Sequence, residues 1–191
     1  MHGIIFASFR DFARDSFGSA LDGVWPEQDY LTGESYDDKD FVRLLGRACE
    51  GTGLAAKDML RRFGVFAGSR SFAALYPDYY AKSGNTRAFL LSVEERIHEL
   101  VRSTIPYARP PHLQVRPLGE EGVVISYTSG RRLCALLEGL VEGTAEHYGE
   151  RLTIREVQCM HRGDLGCAFL VEPAEGEAGY GFVGRGVAQP G

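Results

Sequence analysis

Residues 123–131 read Val-Val-Ile-Ser-Tyr-Thr-Ser-Gly-Arg, an alternating run that predicts a β-strand. In an extended strand every second side chain lies on the same face, and here that face starts apolar at Ile125. It ends in a phenol, a hydroxyl and a guanidinium, the side chains of Tyr127, Ser129 and Arg131. Such donors can converge on carboxylates, and arginine can bind one through two parallel hydrogen bonds. The stretch therefore predicts a strand whose end binds carboxylates.

A helix with an unusual histidine is predicted upstream, over residues 85–105. Its apolar residues recur at helical spacing: Leu90, Leu91, Val93, Ile97, Val101 and Ile105. His98 falls on that apolar side, so an imidazole projects from the helix face that packs inward. The double proline at 110–111 then separates this helix from the strands. An imidazole facing a set of carboxylate donors suits a heme, with one iron ligand and two propionates to satisfy.

Length and composition indicate a single domain. The 191 residues are 44% hydrophobic and 11% aromatic, which is enough for a substantial core. The formal net charge of −5 does not indicate a nucleic-acid surface. We find no signal peptide and no apolar run long enough to span a membrane, so we expect a cytoplasmic protein that binds neither membrane nor nucleic acid.

The order of the predicted elements indicates an α+β fold. We expect helices over 2–17, 38–49, 54–63 and 85–105, then a hairpin over 112–129, a helix over 131–148 and a hairpin over 151–171. We therefore predict an N-terminal helical part packed on a C-terminal half with about four antiparallel strands and two long helices. Residues 173–191 are rich in glycine and are predicted to form a mobile tail.

These motifs together resemble the H-NOX family, the heme domains that bind nitric oxide or oxygen. The resemblance rests on His98, the prolines, the Gly-Glu-Glu-Gly run at 119–122, and the Tyr-x-Ser-x-Arg motif that ends at Arg131. The opening Met-His-Gly-Ile-Ile at 1–5 is also similar to the start of that family. Residues 1–172 would then form the heme domain, with the heme b between the two halves.

The resemblance implies a role for several individual residues. His98 would be the axial iron ligand, and Tyr127, Ser129 and Arg131 would bind the propionates. Pro111 is similar to the proline that presses on the porphyrin. The remaining pocket residues implied by the resemblance are Ile5, Phe9, Leu136 and Leu140, although each is equally suited to an ordinary core position.

Three cysteines raise an alternative function. Cys134, Cys159 and Cys167 resemble a zinc or thiol site found in some bacterial relatives, with His161 as a fourth ligand for a tetrahedral zinc ion. They could equally be buried free thiols, which behave as small hydrophobic groups. The alternative function is therefore a zinc or thiol redox sensor.

The leading expectation is a gas sensor that is selective for nitric oxide and is not an enzyme. In oxygen-binding relatives, a tyrosine five residues after the motif arginine donates a hydrogen bond to bound oxygen, and that position here is Leu136. We therefore expect tight NO binding, weaker CO binding and no stable oxygen binding, unless Tyr76, Tyr79 or Tyr80 supplies a donor. A peroxidase is disfavoured because Leu136 and Leu140 offer no acid–base group.

Signalling is expected to pass to a separate protein. By resemblance, NO binding opposite His98 weakens the bond between the iron and the histidine, and the helical part then shifts against the sheet half. The chain shows no segment that resembles a kinase, a cyclase or a chemotaxis output. A histidine kinase or a cyclic-dinucleotide enzyme is the expected class of partner.

Overall fold

The computed structural model describes residues 1–26, 29–93 and 110–174. His98 and most of its predicted helix lie outside these described residues, as do residues 175–191 of the predicted tail. The helical half contains α1 (Gly3–Phe17), a 3₁₀ turn (Gly18–Val24), α2 (Asp38–Thr52), α3 (Ala56–Phe66), a π-helical turn (Ala67–Ser71), α4 (Phe72–Leu75), α5 (Pro77–Ser83) and α6 (Thr86–Val93). The sheet half contains β1 (His112–Leu118), β2 (Gly122–Thr128), α7 (Cys134–Tyr148), β3 (Leu152–Gln158), a 3₁₀ turn (Met160–Arg162) and β4 (Cys167–Pro173).

The first helix forms because its phenylalanines recur on one face. Phe6, Phe9 and Phe12 are all buried in the helical half. The His2 side chain accepts a hydrogen bond from the backbone N–H of Ile4 at the start of the helix. Gly18 follows the helix with a φ of 56°, a conformation that favours glycine and ends it. The prediction of a helix over residues 2–17 is thus met to within one residue.

The second and third helices differ from their predicted boundaries in informative ways. The cap of α2 is Asp37, whose side chain accepts from the N–H of Lys39, whereas Asp38 and Asp40 lie within the first turn. Helix α3 was predicted to end at residue 63, but it continues through Gly64 to Phe66. The irregularity comes at the π-helical turn Ala67–Ser71 instead.

Helix α3 and helix α7 approach each other closely because glycines face each other at their contact. This packing stabilises α3 as a helix through Gly64. A Cβ atom added to Gly64 would lie 2.5 Å from the carbonyl oxygen of Leu136. A Cβ atom added to Gly139 would lie 2.1 Å from the carbonyl oxygen of Arg61. Gly68 and Gly143 make similarly close approaches one turn further along. These four glycines form the seam between α3 and α7, at which two backbones touch.

The sheet is four-stranded and antiparallel, in the order β1-β2-β4-β3. The β1–β2 hairpin pairs Leu113 with Tyr127 and Val115 with Ile125. Strand β2 continues into the centre of the sheet, where Ile125 pairs with Phe169 of β4. Both predicted hairpins are present, and the α+β prediction is confirmed. Strand β4 includes Pro173, one residue into the segment predicted as tail.

Helix α7 starts later and is buried more completely than its sequence predicts. It was expected to begin at Arg131 but begins at Cys134, because Arg132 has a φ of 52°, outside the helical region. Leu136, Leu137 and Val141 account for only part of its buried surface. Gly139 and Gly143 are buried on another side, against α3, so α7 is enclosed by both halves.

Two separate hydrophobic cores result. One lies among α1, α2, α3 and the start of α7, and the other lies between the sheet and α7. Leu136 belongs to the first core and its neighbour Leu137 to the second. Among the described residues, no helix is long and apolar enough to cross a membrane.

Candidate functional site

A cavity of about 550 Å³ lies between the two halves. The helical half contributes Ile5, Phe72 and Leu90, and the sheet contributes Leu113 and Ile125. Ligand sites for small molecules and cofactors are typically of roughly 300–1,000 Å³ and mostly apolar, with a few polar groups that orient the ligand. The cavity has the size and the lining of such a site.

The structure brings most of the predicted pocket residues to this cavity. Ile5, Pro111, Leu136 and Leu140 all line it. Phe9 does not line the cavity.

Phe9 is fully buried in the aromatic core of the helical half. Its ring centroid lies 5.1 Å from that of Phe63 and 5.6 Å from that of Trp25. Phe9 is one helical turn beyond Ile5, and by that point α1 is covered by α3. Periodicity identified the buried face of α1 but could not show where the cavity ends along it.

The carboxylate-binding residues also line the cavity, although they do not share one strand. Strand β2 ends at Thr128, so Ser129 and Arg131 lie in the following turn. The Ser129 hydroxyl accepts from the N–H of Arg131 at 3.2 Å, and the Tyr127 hydroxyl accepts from the N–H of Leu133 at 3.1 Å. The three side chains are therefore brought together by a strand end and a hydrogen-bonded turn.

Burial affects the acidity of the phenol at this edge. It raises the pKa of Tyr127, although hydrogen bonds from Ser129 and from the backbone of Leu133 act in the opposite direction. Tyr127 is only 4% exposed, and its phenol stays protonated at neutral pH. It can therefore donate to a carboxylate in the cavity while accepting from the backbone.

Asp38 is part of this edge, although no pattern in the sequence singles it out. Its Oδ1 lies 2.8 Å from Nε of Arg131 and 2.7 Å from the backbone nitrogen of Met1. Burial acts to raise the pKa of Asp38, but hydrogen bonds from Met1 and Arg131 outweigh it, and the pKa is lowered. Asp38 is the first residue of α2 and is distant from the motif in sequence, which is why no local pattern could reveal it.

The helix that leads to His98 faces the cavity. Phe89, Leu90 and Val93 of α6 line it. The Asn85 side chain accepts from the N–H of Ala88 at 2.8 Å, and Glu150 accepts from the N–H of Thr86 at 3.0 Å, so both cap the start of α6. His98 itself lies outside the described residues, and its role as iron ligand remains a prediction.

Two of the three tyrosines considered as hydrogen-bond donors line the cavity, namely Tyr76 and Tyr80, whereas Tyr79 does not. The Tyr80 hydroxyl donates to the carbonyl oxygen of Gly68 at 2.8 Å, inside the π-helical turn. Burial raises the pKa of Tyr80 to about 12. Burial also raises the pKa of Tyr76, whose ring lies against those of Phe72 and Tyr79.

The three predicted cysteines come together in the sheet half. Cys134, Cys159 and Cys167 place their sulfur atoms with a carboxylate oxygen of Glu156, all within 4.8 Å of one another. The sulfurs of Cys134 and Cys159 are 3.8 Å apart. Burial, followed by the proximity of the other thiols, raises the pKa of Cys134 to about 12.

His161 was predicted to complete this cluster, and that prediction is wrong for the described structure. Its Nε2 donates to the carbonyl oxygen of Arg132 at 2.8 Å, and the residue is exposed. Glu156 takes the fourth place instead, from strand β3. His161 was expected because zinc prefers nitrogen and sulfur ligands, whereas the side chain that comes within reach is the carboxylate of Glu156, three residues before Cys159.

The cavity fits a heme on its own features. It is largely apolar, it is shared by two halves, and one edge carries a phenol, a hydroxyl and a guanidinium that suit carboxylates. Arg131 supplies the positive charge that the carboxylates of a ligand need at that edge, and it shares this charge with Asp38.

Comparison with known proteins agrees with this assignment. The model of the haem-NO-binding family, HNOB, matches residues 2–156. The chain belongs to this family of heme domains, also called H-NOX, whose members are gas sensors. No curated protein matches the chain.

Solved H-NOX structures share the fold. One from S. oneidensis in the Fe(II)NO ligation state has a TM-score of 0.83 and 24% identity, and the match covers 92% of this chain and 100% of that one. A point mutant of the unliganded Fe(II) protein from K. algicida has a TM-score of 0.80 and 26% identity, with 93% and 98% covered. The H-NOX domain from Shewanella oneidensis in the Fe(II)CO ligation state, solved by NMR, has a TM-score of 0.81 and 24% identity, with 92% and 99% covered.

Proposed function

We propose that this chain is a heme-based sensor that is selective for nitric oxide. The observation that carries the proposal is the cavity itself, which has apolar walls from both halves and carboxylate-binding side chains at one edge. Heme b would be held by His98 at its iron and by Tyr127, Ser129 and Arg131 at its carboxylates, and it would supply the iron that binds NO and, more weakly, CO. The residues of the chain orient the heme, exclude water and decide which gas is retained.

At the carboxylate edge, Arg131 has the largest role. It supplies a charged, forked donor, while Tyr127 and Ser129 supply neutral hydroxyl donors. A hydrogen bond to a charged group contributes roughly 1.5–3 kcal/mol, against about 1 kcal/mol for a neutral one. We therefore assign most of the propionate affinity to Arg131.

We call the part of the cavity lined by Leu136 and Leu140 the gas-binding wall. Selectivity for NO over oxygen rests on the lack of a hydrogen-bond donor at these two residues. Leu136 and Leu140 line the cavity from α7 and offer only hydrocarbon. Bound oxygen carries partial negative charge and is retained by a hydrogen-bond donor, whereas bound NO needs none. The Tyr80 hydroxyl donates to Gly68, which leaves Tyr76 as the phenol whose contribution must be tested directly.

The test of the iron ligand is His98→Gly. We expect the variant to lose the five-coordinate ferrous spectrum of the wild type and to regain it when imidazole is added. His112→Gly, in which an exposed strand histidine is removed, is the matched control and should leave the spectrum unchanged. An unchanged spectrum in His98→Gly would contradict the assignment.

We further propose that the output passes to a separate effector protein, a histidine kinase or a cyclic-dinucleotide enzyme, as the family resemblance implies. The effector should respond to the NO-loaded chain and not to the unliganded ferrous chain. The experiment is to measure the activity of candidate effectors with each form. Activity that is identical with both forms would contradict a signalling role.

A second candidate function, a zinc or thiol redox site, rests on the geometry of the cysteine cluster alone, and the family match does not favour it. Two sulfurs bonded to one tetrahedral zinc ion at about 2.3 Å lie roughly 3.8 Å apart, and the sulfurs of Cys134 and Cys159 lie 3.8 Å apart. Metal analysis of protein purified without added zinc tests this candidate. Protein that contains no zinc and is unchanged by mild oxidant would eliminate it.

A further inference from the structure

Asp38 connects the helical half to the carboxylate edge of the cavity. It is the first residue of α2, and its Oδ1 is 2.8 Å from Nε of Arg131, which follows β2. The two side chains are 46% and 21% exposed, and both residues line the cavity. The contact therefore crosses from one half to the other at the rim of the proposed heme site.

Arginine can serve two carboxylates at once. The guanidinium carries five N–H donors in a rigid plane, and a partner at Nε uses only part of that fork. A carboxylate at Nε also fixes the direction of a long side chain that otherwise retains much conformational freedom. Asp38 is itself fixed, because the backbone nitrogen of Met1 lies 2.7 Å from the same oxygen.

We propose that Asp38 is a positioning residue for heme binding, which holds Arg131 in place for a heme carboxylate and so makes α2 part of the heme site. The inference rests on the proposed function, because Arg131 is taken to bind a propionate. The carboxylate edge of the cavity is then formed by residues of both halves. Heme retention should then depend on a residue outside the Tyr-x-Ser-x-Arg motif.

The lowered pKa of Asp38 is consistent with this role. The carboxyl group stays ionised at neutral pH despite its partial burial, because the positive charges of the Met1 ammonium and the Arg131 guanidinium lie against it. An ionised Asp38 compensates one positive charge at the rim whether or not heme is present. Asp38→Asn removes that charge while keeping the size of the side chain.

The experiment measures the rate at which the ferric protein loses heme to an excess of apomyoglobin. We expect Asp38→Asn to lose heme about 2- to 10-fold faster than wild type, which corresponds to the cost of about 0.5–1.5 kcal/mol for ordering one flexible side chain. Asp38→Glu should restore part of the retention. Asp40→Asn is the matched control, since Asp40 lies in the same turn of α2 but pairs with Arg43.

A double-mutant cycle separates positioning from a general loss of stability. In an Arg131→Ala background, Asp38→Asn should have no further effect on heme loss, because the residue it positions is gone. Circular dichroism of the heme-free variants monitors folding. If Asp38→Asn does not fold, the same cycle is run with Asp38→Glu and Arg131→Lys.

Three results would overturn the inference: equal heme loss in Asp38→Asn and wild type, slower loss in the variant, or the same acceleration with and without Arg131. Slower loss would mean that Asp38 competes with the heme for Arg131. A His98→Gly variant with an unchanged spectrum overturns the proposed iron ligand alone. If His98→Gly loses the ferrous spectrum as expected, but the double-mutant cycle shows no coupling between Asp38 and Arg131, then only the positioning role of Asp38 is overturned.

Discussion

The cavity and the cysteine cluster are two different kinds of site in one chain. The cavity is built by both halves, and its charged rim includes Asp38 from the helical half and Arg131 from the sheet half. The cysteine cluster is built by α7 and the sheet alone, with Cys134, Cys159 and Cys167 buried in the second core. A ligand in the cavity would therefore affect how the two halves pack against each other, whereas a metal ion at the thiols would stabilise only the sheet half.

The largest expected effect comes from the glycine seam that brings the halves together. Gly139→Ala would place a Cβ atom 2.1 Å from a backbone oxygen of α3, and neither helix can relieve this without moving apart. We expect a loss of about 3 kcal/mol in the free energy of unfolding, the upper end of typical overpacking costs. Urea unfolding of the heme-free protein measures it.

The matched control for the seam is Gly46→Ala. Gly46 is an exposed glycine of α2, and a Cβ atom there meets nothing within 4 Å. Because alanine has the higher helix propensity, this variant should be stabilised by about 0.8–1 kcal/mol. Wild-type stability in Gly139→Ala would show that α3 and α7 are not in close contact.

The next largest effect concerns the carboxylate edge. Arg131→Ala should lose heme faster than wild type by about one to two decades, corresponding to roughly 1.5–3 kcal/mol, and Ser129→Ala by less than one decade. Alkylation of the buried cysteines should be the same in both variants, because neither Arg131 nor Ser129 is part of the cysteine cluster. Equal heme retention in Arg131→Ala, Ser129→Ala and Tyr127→Phe would show that these side chains do not bind the propionates.

A comparable or smaller effect is expected at the gas-binding wall. Leu136→Tyr should raise oxygen affinity by about one to two decades, the worth of a hydrogen bond to a charged acceptor. Tyr76→Phe tests the remaining phenol and should leave gas binding unchanged. Oxygen binding that is present in wild type and lost in Tyr76→Phe would assign the donor role to Tyr76 and contradict selectivity for NO.

The smallest effect is expected at the thiols. Because the pKa of Cys134 is raised to about 12, this thiol stays protonated at pH 8 and should react slowly with iodoacetamide. The protonated Cys134 thiol contributes fully to folding stability below its ordinary pKa of 9.0, and this contribution is lost as the pH rises toward 12. The half-buried Cys49 should be alkylated first, as mass spectrometry can show. Rapid alkylation of Cys134 would indicate that the second core is open.

The sequence predicted what depends on local patterns. Alternation identified β1 and β2 almost to the residue, and helical spacing identified α1. The Tyr-x-Ser-x-Arg motif identified Tyr127, Ser129 and Arg131, and all three side chains line the cavity.

Contacts between distant elements escaped prediction. The Asp38–Arg131 pair joins residues far apart in the chain, and the cysteine cluster joins Glu156 and Cys159 to Cys134 of α7. The close approach of the α7 backbone at Gly139 to the α3 backbone becomes visible only in the packed structure. The boundary of the cavity at Phe9 likewise depends on how α3 covers α1.

Selectivity for NO at a heme can be read from the absorption spectrum of the purified protein, which is reduced, exposed first to air and then to NO without oxygen. We expect a five-coordinate ferrous heme, no stable oxygen-bound spectrum in air, and a clear shift with NO. A stable six-coordinate spectrum in air would contradict selectivity for NO, and the absence of any heme absorption after reconstitution would contradict the heme site itself.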